Sequence, residues 1–276
     1  MDRPPGDRAD FPWWLLAAGL LGLAALAAIL ASPVHAQVLA TVRKGMGITA
    51  FVSVVAFALS AALGLLFALG LSSRHIAVRQ AARLVVEVLR GIPVIVLLLY
   101  IAFAGTPILV AAINLLAVPL GAEPWQVRDI PMIWRAIAAL MVAYAPYIAE
   151  VFRAGFEAVD SGQVEAAKAL GLRPGQRFRH IVFPQAIRIM APPLGNFFIA
   201  LVKDSALVSV LGVADVTQLG KLAASGNFRY LETYNVVTFV YLCLTIGLSV
   251  ALRAVERRLN ARTARDGVLP KPGTIL

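Results

Sequence analysis

The sequence predicts an all-α integral membrane protein. Of its 276 residues 60% are hydrophobic and only 14% charged, and the mean hydropathy is +0.81, well outside the range of soluble domains. Six segments reach or approach the roughly 20 apolar residues that a helix needs to cross a hydrocarbon core. Lys and Arg concentrate in alternate segments between them, so the formal net charge of +10 belongs to the loops at one membrane face rather than to a nucleic-acid surface.

The first apolar segment is 13–31, WWLLAAGLLGLAALAAILA. Arg3, Arg8 and the small-residue ending ASPVHA also fit a cleaved signal peptide, but nineteen uncharged residues are long for one and favour a retained helix. The other spans are 46–71, 92–118, 132–152, 189–212 and 234–252, and the 92–118 span is interrupted at Gly105-Thr106-Pro107. With the first segment running outward, the inside holds two Lys or Arg before residue 13, four in 72–91, six in 153–188 and six after 252. The outside segments 32–45, 119–135 and 213–233 hold two each, and Lys203 lies within a span. This asymmetry expects a cytoplasmic C-terminus, with 261–276 a frayed polar tail. Cys243 has no partner for a disulfide, and His35, His75 and His180 lack ligand spacing to one another, so no metal site is expected.

One cytoplasmic stretch is strongly polar: VEAAKALGLRPGQRFRHIVFP, residues 164–184. Asp160 or Ser161 can cap a first short helix, with Gln163 at capping-box spacing from Asp160, and Gly171 supplies a left-handed end. Pro174 suits the first position of a second helix on which Phe178, Ile181 and Val182 share a face bordered by Arg177, Arg179 and His180. A DNA-reading helix-turn-helix would need a core of its own, which about 30 residues tethered between spans do not provide. Physics alone leaves two uses open, an interfacial lipid-binding element or a docking surface for a cytoplasmic protein.

Glu165-Ala166-Ala167, Gly171 four residues further on, and Ile181-Val182-Phe183-Pro184 after nine more resemble the EAA motif of ABC importer permeases, EAA-x3-G-x9-I-x-L-P, with only Phe183 departing. VEVLRGIPVIV (86–96), YIAEVFRAGFEAV (147–159), the run 184–217 and LRAVERRL (252–259) are similar to the polar amino acid permeases of the histidine/glutamine/arginine/opine type. The resemblance covers about 45–260. It implies a type I ABC permease core of five transmembrane helices in a bacterial inner membrane, preceded here by one extra helix in 1–40. The permease domain would be 41–260 with its coupling loop at 153–184, and the tail 261–276. It also implies a dimer with an identical or related permease, a pair of ATP-binding subunits docking on Glu165, Ala166, Ala167, Gly171, Phe178, Ile181 and Pro184, and an extracytoplasmic amino-acid-binding protein. There is no GxxxxGK[ST] phosphate loop, so ATP and Mg2+ would be used by the partner, and this chain reads as a non-catalytic subunit without a cofactor of its own.

Within the spans, charged residues are expensive and therefore candidates for the substrate passage. Glu150 has Arg153 at i+3, so a local ion pair competes with a substrate contact. Lys203 and Asp204 point about 100° apart on a helix and cannot simply neutralise each other; with Ser205 they could line the passage or its gate, or join an interhelical ion pair. Arg90-Gly91-Ile92-Pro93 reads as the structural start of the third span, and Tyr144, Tyr147 and Trp125 as interface anchors. Two rivals come from other classes. A passive channel leaves the EAA spacing unexplained, and a membrane enzyme lacks HExxH, GxSxG or a carboxylate–histidine cluster. Amino acid and opine-like substrates stay open.

Overall fold

The computed structural model describes residues 13–265; Arg3, Arg8 and the tail beyond 265 lie outside the described residues. Among those described the chain is helical throughout, without a strand. Helix α1 covers Trp13–Ala31, and Ser32-Pro33 breaks it from α2, Pro33–Val42, because a proline at a first helical position cannot continue the preceding turn. At 1.5 Å per residue α1 is ~28 Å long, close to the hydrocarbon thickness. Helices α3 (Met46–Leu71), α5 (Val94–Leu120), α6 (Met132–Glu157), α8 (Pro174–Leu211) and the Tyr230–Arg257 part of α10 (Tyr230–Arg265) are each long and apolar enough to span a bilayer, α3 within a longer run that starts at Pro33.

The centre of the bundle is the contact of α3 with α6. Thr49, Ser53, Ala56, Ser60, Gly64 and Ala68 recur every three or four residues along the buried face of α3. They meet a face of α6 rich in Ala136, Ala139, Ala143, Ala145 and Ala149. Between helices surrounded by lipid the hydrophobic effect gives no drive, so small side chains that let backbones approach supply the packing. Gly64 is the tightest point: a Cβ there would lie 2.8 Å from the Ala145 carbonyl oxygen and 3.1 Å from the Ala149 nitrogen, both unable to move aside. Ser60 Oγ donates to Ala56 O at 2.7 Å and reaches Met141 O at 3.3 Å, so the seam holds its hydroxyls internally. Leu97, Leu98 and Ala102 of α5, with Leu201 and Val208 of α8, complete this core.

Three features differ from the sequence expectation. The segment 76–91, expected only as an inside connection, is an amphipathic helix, α4 (Ile76–Gly91), seated on the bundle through Val86. The expected interruption of the third span is instead a continuous helix with a π turn at Ile101–Gly105. Pro107 has no N–H for the Phe103 carbonyl, so the hydrogen bonding shifts register; Thr106 Oγ1 donates to Ile101 O at 2.9 Å, and Arg135 Nη1 donates to Ala102 O at 3.3 Å. Arg135 is thereby buried at the start of α6 with its guanidinium spent on carbonyls. The segment 213–233, expected as an outside connection, contains a further helix, α9 (Val216–Asn227).

Asp215 caps α9 and is completely buried. Its carboxylate accepts from Gln218 N at 2.8 Å and Tyr241 OH at 3.2 Å, while Val216 N donates to Thr49 Oγ1 at 3.2 Å. The turn lies against Gly45, where a Cβ would meet the Asp215 backbone at 2.5 Å. This latch ties the start of α3 to α9 and α10, and a cluster of Ile29, Val38, Val42, Val216, Val236, Val237 and Val240 packs α1 and α2 beside it.

Two outcomes follow from this packing. Gly64→Val should destabilise the purified protein by about 1–3 kcal/mol through overpacking, whereas Gly47→Ala, with nothing within 4 Å of the new methyl, should be neutral or gain about 0.5–1 kcal/mol; thermal unfolding in detergent compares them. Burial pushes the Asp215 carboxyl above its ordinary range, against hydrogen bonds from the Gln218 and Thr217 backbone and from the Tyr241 and Thr217 hydroxyls. The folded chain therefore holds this proton more tightly than the unfolded chain, whose aspartate titrates near ~3.9. The stabilisation is full below that value and is lost as pH rises through the elevated folded value. Asp215→Asn keeps a capping side chain and should flatten the dependence of melting temperature on pH above about pH 4.

Candidate functional site

The polar loop is built from its caps. Asp160 Oδ1 accepts from Gln163 N at 3.2 Å and starts α7, Ser161–Ala169. Gln163 does not return the second half of a capping box; its Oε1 accepts from Gln185 Nε2 at 2.6 Å and ties α7 to α8. The helix ends in a Schellman motif, with Leu172 N donating to Ala167 O at 3.1 Å and Gly171 N to Lys168 O at 2.9 Å. Gly171 has φ +76°, and nothing stands within 4 Å of where its Cβ would be. The demand for glycine there is conformational, not steric.

Ala167 faces inward, while Glu165, Ala166 and Leu170 face out, Leu170 with 78% of its surface exposed. Arg173 N donates to Gln176 Oε1 at 2.9 Å, and Pro174 opens α8. Sequence reasoning placed the second short helix and the fifth span apart; the structure makes them one rod, Pro174–Leu211, with a π turn at Phe178–Val182. Pro184 removes the N–H that would serve the His180 carbonyl, the same offset as Pro107 from its own π turn. Phe178 is half-exposed, its ring centroid 5.8 Å from Phe156 and 5.9 Å from Phe183, and Ile181 and Val182 are partly buried beside it.

A stripe of α6 forms the second candidate region. Tyr147, Glu150, Val151 and Ala154 fall at one face of α6 and, with Ala158 just past its end, line a cavity of about 480 Å³ bordered by Arg90 and by Pro193 and Phe197 of α8. The Arg90 guanidinium lies 5.6 Å from the centre of the Tyr147 ring, whose centroid is 5.9 Å from that of Phe197. Arg90 and Tyr147, read in the sequence as a helix start and an anchor, are thus cavity residues. For Tyr147 the signal was its i, i+3 spacing to Glu150 on one helix; Arg90, on α4, offered no such signal. Glu150 is held by Arg153 at 2.7 Å, and Arg153 also takes Glu157 at 2.9 Å.

Lys203, Asp204 and Ser205 do not join that cavity. Asp204 accepts from Tyr144 OH at 2.7 Å, Lys203 is exposed, and the buried Ser205 donates to Val202 O at 2.8 Å. Tyr144 lies six residues before Glu150 on α6, about 9 Å along the axis. Glu150 on α6 and Asp204 on α8, the latter held by Tyr144, therefore stand at different levels along α6 and, six residues being about 240° of helical rotation, on different sides of it. Among the described residues no group of three or more His, Cys, Asp or Glu is placed to hold a metal ion.

Tyr144→Phe removes the one hydroxyl donor to Asp204 among the described residues and should cost about 1–3 kcal/mol through an unsatisfied carboxylate. Lys203→Gln, at an exposed position, should stay within about 0.5 kcal/mol. Chemical or thermal unfolding of the two variants separates these outcomes.

The model of the family described as binding-protein-dependent transport system inner membrane component matches residues 60–265. The probable amino-acid permease protein YxeN of Bacillus subtilis (strain 168) is 34% identical over 220 residues, which are 80% of this chain and 92% of that protein. The glutamine transport system permease protein GlnP of Escherichia coli (strain K12) is 34% identical over 217 residues, 79% and 92% of the two chains. A crystal structure of an amino acid ABC transporter with histidines superposes with a TM-score of 0.66 at 33% identity, covering 79% of this chain and 94% of the other.

Proposed function

Since this chain belongs to the family of binding-protein-dependent transport system inner membrane components, we infer that it is the multi-pass permease subunit of an ABC importer for a polar or charged amino acid. The observation that carries the mechanism is the loop: a capped helix with small and apolar residues facing out, a glycine elbow, and a second helix continuous with a membrane span. Glu165, Ala166 and Leu170 are available to a cytoplasmic ATP-binding subunit, and Ala167 seats the helix on its own chain. A displacement at α7 reaches α8 through the Gln163–Gln185 bond and the buried Val159, Ala186 and Met190 contact.

In this reading ATP and Mg2+ are used by the partner subunit, an extracytoplasmic binding protein delivers the amino acid, and a second permease, identical or related, completes the membrane unit. The C-terminus is cytoplasmic, in keeping with the positive charge of the loops on that side. Residues 41–260 form the permease domain, and α1 is an addition before it. Glu150, with Tyr147 and Arg90, lines the inner part of the passage; Asp204 and Tyr144 stand further out, with Lys203 and Ser205 beside them. Alternating access then moves α6 and α8 relative to the neighbouring bundle.

Reconstitution with the ATP-binding subunit tests the coupling. Gly171→Asn should retain most uptake because asparagine tolerates the left-handed region, while Gly171→Val should lose at least about tenfold of transport per ATP hydrolysed. Equal coupling ratios in both variants would remove the loop from the mechanism. Failure of the wild-type chain to co-purify with an ATP-binding subunit would remove the importer reading.

A further inference from the structure

A second cavity, about 520 Å³, opens between the end of α3, the polar face of α4 and the last turns of α6. Its charged lining is Arg79, Arg83 and Glu87 from α4 with Glu150, Arg153 and Glu157 from α6, three cations and three anions. Its volume falls within the roughly 300–1,000 Å³ usual for small-molecule sites. Glu150 lines this groove and the more apolar cavity above it, so the two compartments meet at one carboxylate.

The charges are unevenly committed. Arg153 serves both Glu150 and Glu157, at 2.7 and 2.9 Å. Arg79 Nη1 donates to the Ser73 carbonyl at 3.0 Å and, among the described residues, has no carboxylate partner. Among the described residues Arg83 and Glu87 have no side-chain partner, although they stand four residues apart on one helix and are both at the groove. Exposed charges of both signs, without side-chain partners among the described residues, suit a ligand that carries both signs itself. Glu150 can release Arg153 without stranding it, because Glu157 still neutralises the guanidinium.

We propose that this groove is a second amino-acid site at the cytoplasmic mouth of the passage, where Arg83 and Arg79 receive the ligand's carboxylate and Glu87 and Glu150 its ammonium group. Glu150 then exchanges its bond to Arg153 for one to the ammonium as the amino acid passes from the apolar cavity to the groove. Arg83 and Glu87 are new binding residues on a helix that the coupling loop does not include. The proposal rests on the reading of the chain as an amino-acid permease.

The assembled transporter, in nanodiscs without its binding protein, is titrated with radiolabelled arginine, histidine, glutamine and glutamate, each alone, and the same preparation is assayed in proteoliposomes with the binding protein for uptake. The wild type should bind the amino acid it transports, and Arg83→Gln and Glu87→Gln should each weaken that binding roughly tenfold, the loss of one charge-assisted hydrogen bond. Arg83→Lys should recover part of the loss. Arg74→Gln, outside the groove, should bind as the wild type does. Unchanged affinity in both groove variants, with wild-type uptake intact, overturns the second site and leaves the permease reading standing. Lowered melting temperature or assembly with unchanged affinity assigns Arg83 and Glu87 to structure and also overturns it, as does a change confined to co-purified phosphatidylethanolamine, whose headgroup offers the same pair of charges. No wild-type uptake of any of the four would strike the permease reading itself.

Discussion

The close approach of α3 and α6 is the constraint on which the remaining structure depends. Helices surrounded by lipid gain little by hiding apolar surface from one another, so their affinity comes from contact distance and from hydroxyls that find partners. Gly64 against the Ala145 and Ala149 backbone sets that distance, and Ser60 bonds within its own helix while touching the Met141 carbonyl. The candidate site residues hang from the other faces of α6. Tyr144 reaches Asp204 on α8, Tyr147 meets Arg90 and Phe197, and Glu150, Arg153 and Glu157 face α4. A shift of α6 relative to α3 would move all of these together.

The two π turns show how proline is used without breaking a helix. Pro107 and Pro184 each stand two residues past a π turn, and neither has an N–H to offer the carbonyl four residues back, which lies inside that turn. Around the first turn the Ile101 carbonyl accepts from the Thr106 backbone and hydroxyl and the Ala102 carbonyl accepts from Arg135, a use of the guanidinium that accounts for an arginine buried at the start of a span. In the second, the helix continues from the loop straight into the membrane. The chain thus gains local adjustability at two places while keeping rods long enough to carry a displacement.

Much of this was legible in the sequence because it depends on short-range rules. The lengths and positions of the apolar runs, the Asp160 cap, the left-handed Gly171 and the Glu150–Arg153 pair each follow from spacing along a helix. What escaped depends on neighbours remote in sequence. Nothing near Asp215 announces that Tyr241 and Thr49 will enclose it, and α4 carries enough charge to read as a loop until its apolar side is seen against the bundle. The fusion of the second loop helix with the fifth span was hidden by Pro184 and by the charged residues ahead of it, which in isolation look like a stop.

The division between Glu150 and Asp204 then has a physical sense. Two carboxylates at one level would raise each other's cost of ionisation, whereas about 9 Å of helix between Tyr144 and Glu150 separates them and gives each its own partner. Asp204 is held by a neutral hydroxyl, which adds no compensating charge, and Glu150 by a guanidinium already shared with Glu157. Neither carboxylate is locked in an exclusive ion pair. A chain whose spans served only as an anchor would gain by replacing both with apolar residues, since isolated ionisable groups cost stability inside a membrane. On the proposed reading, Glu150 of α6 and Asp204 of α8 serve a passage for charged solutes from two different helices.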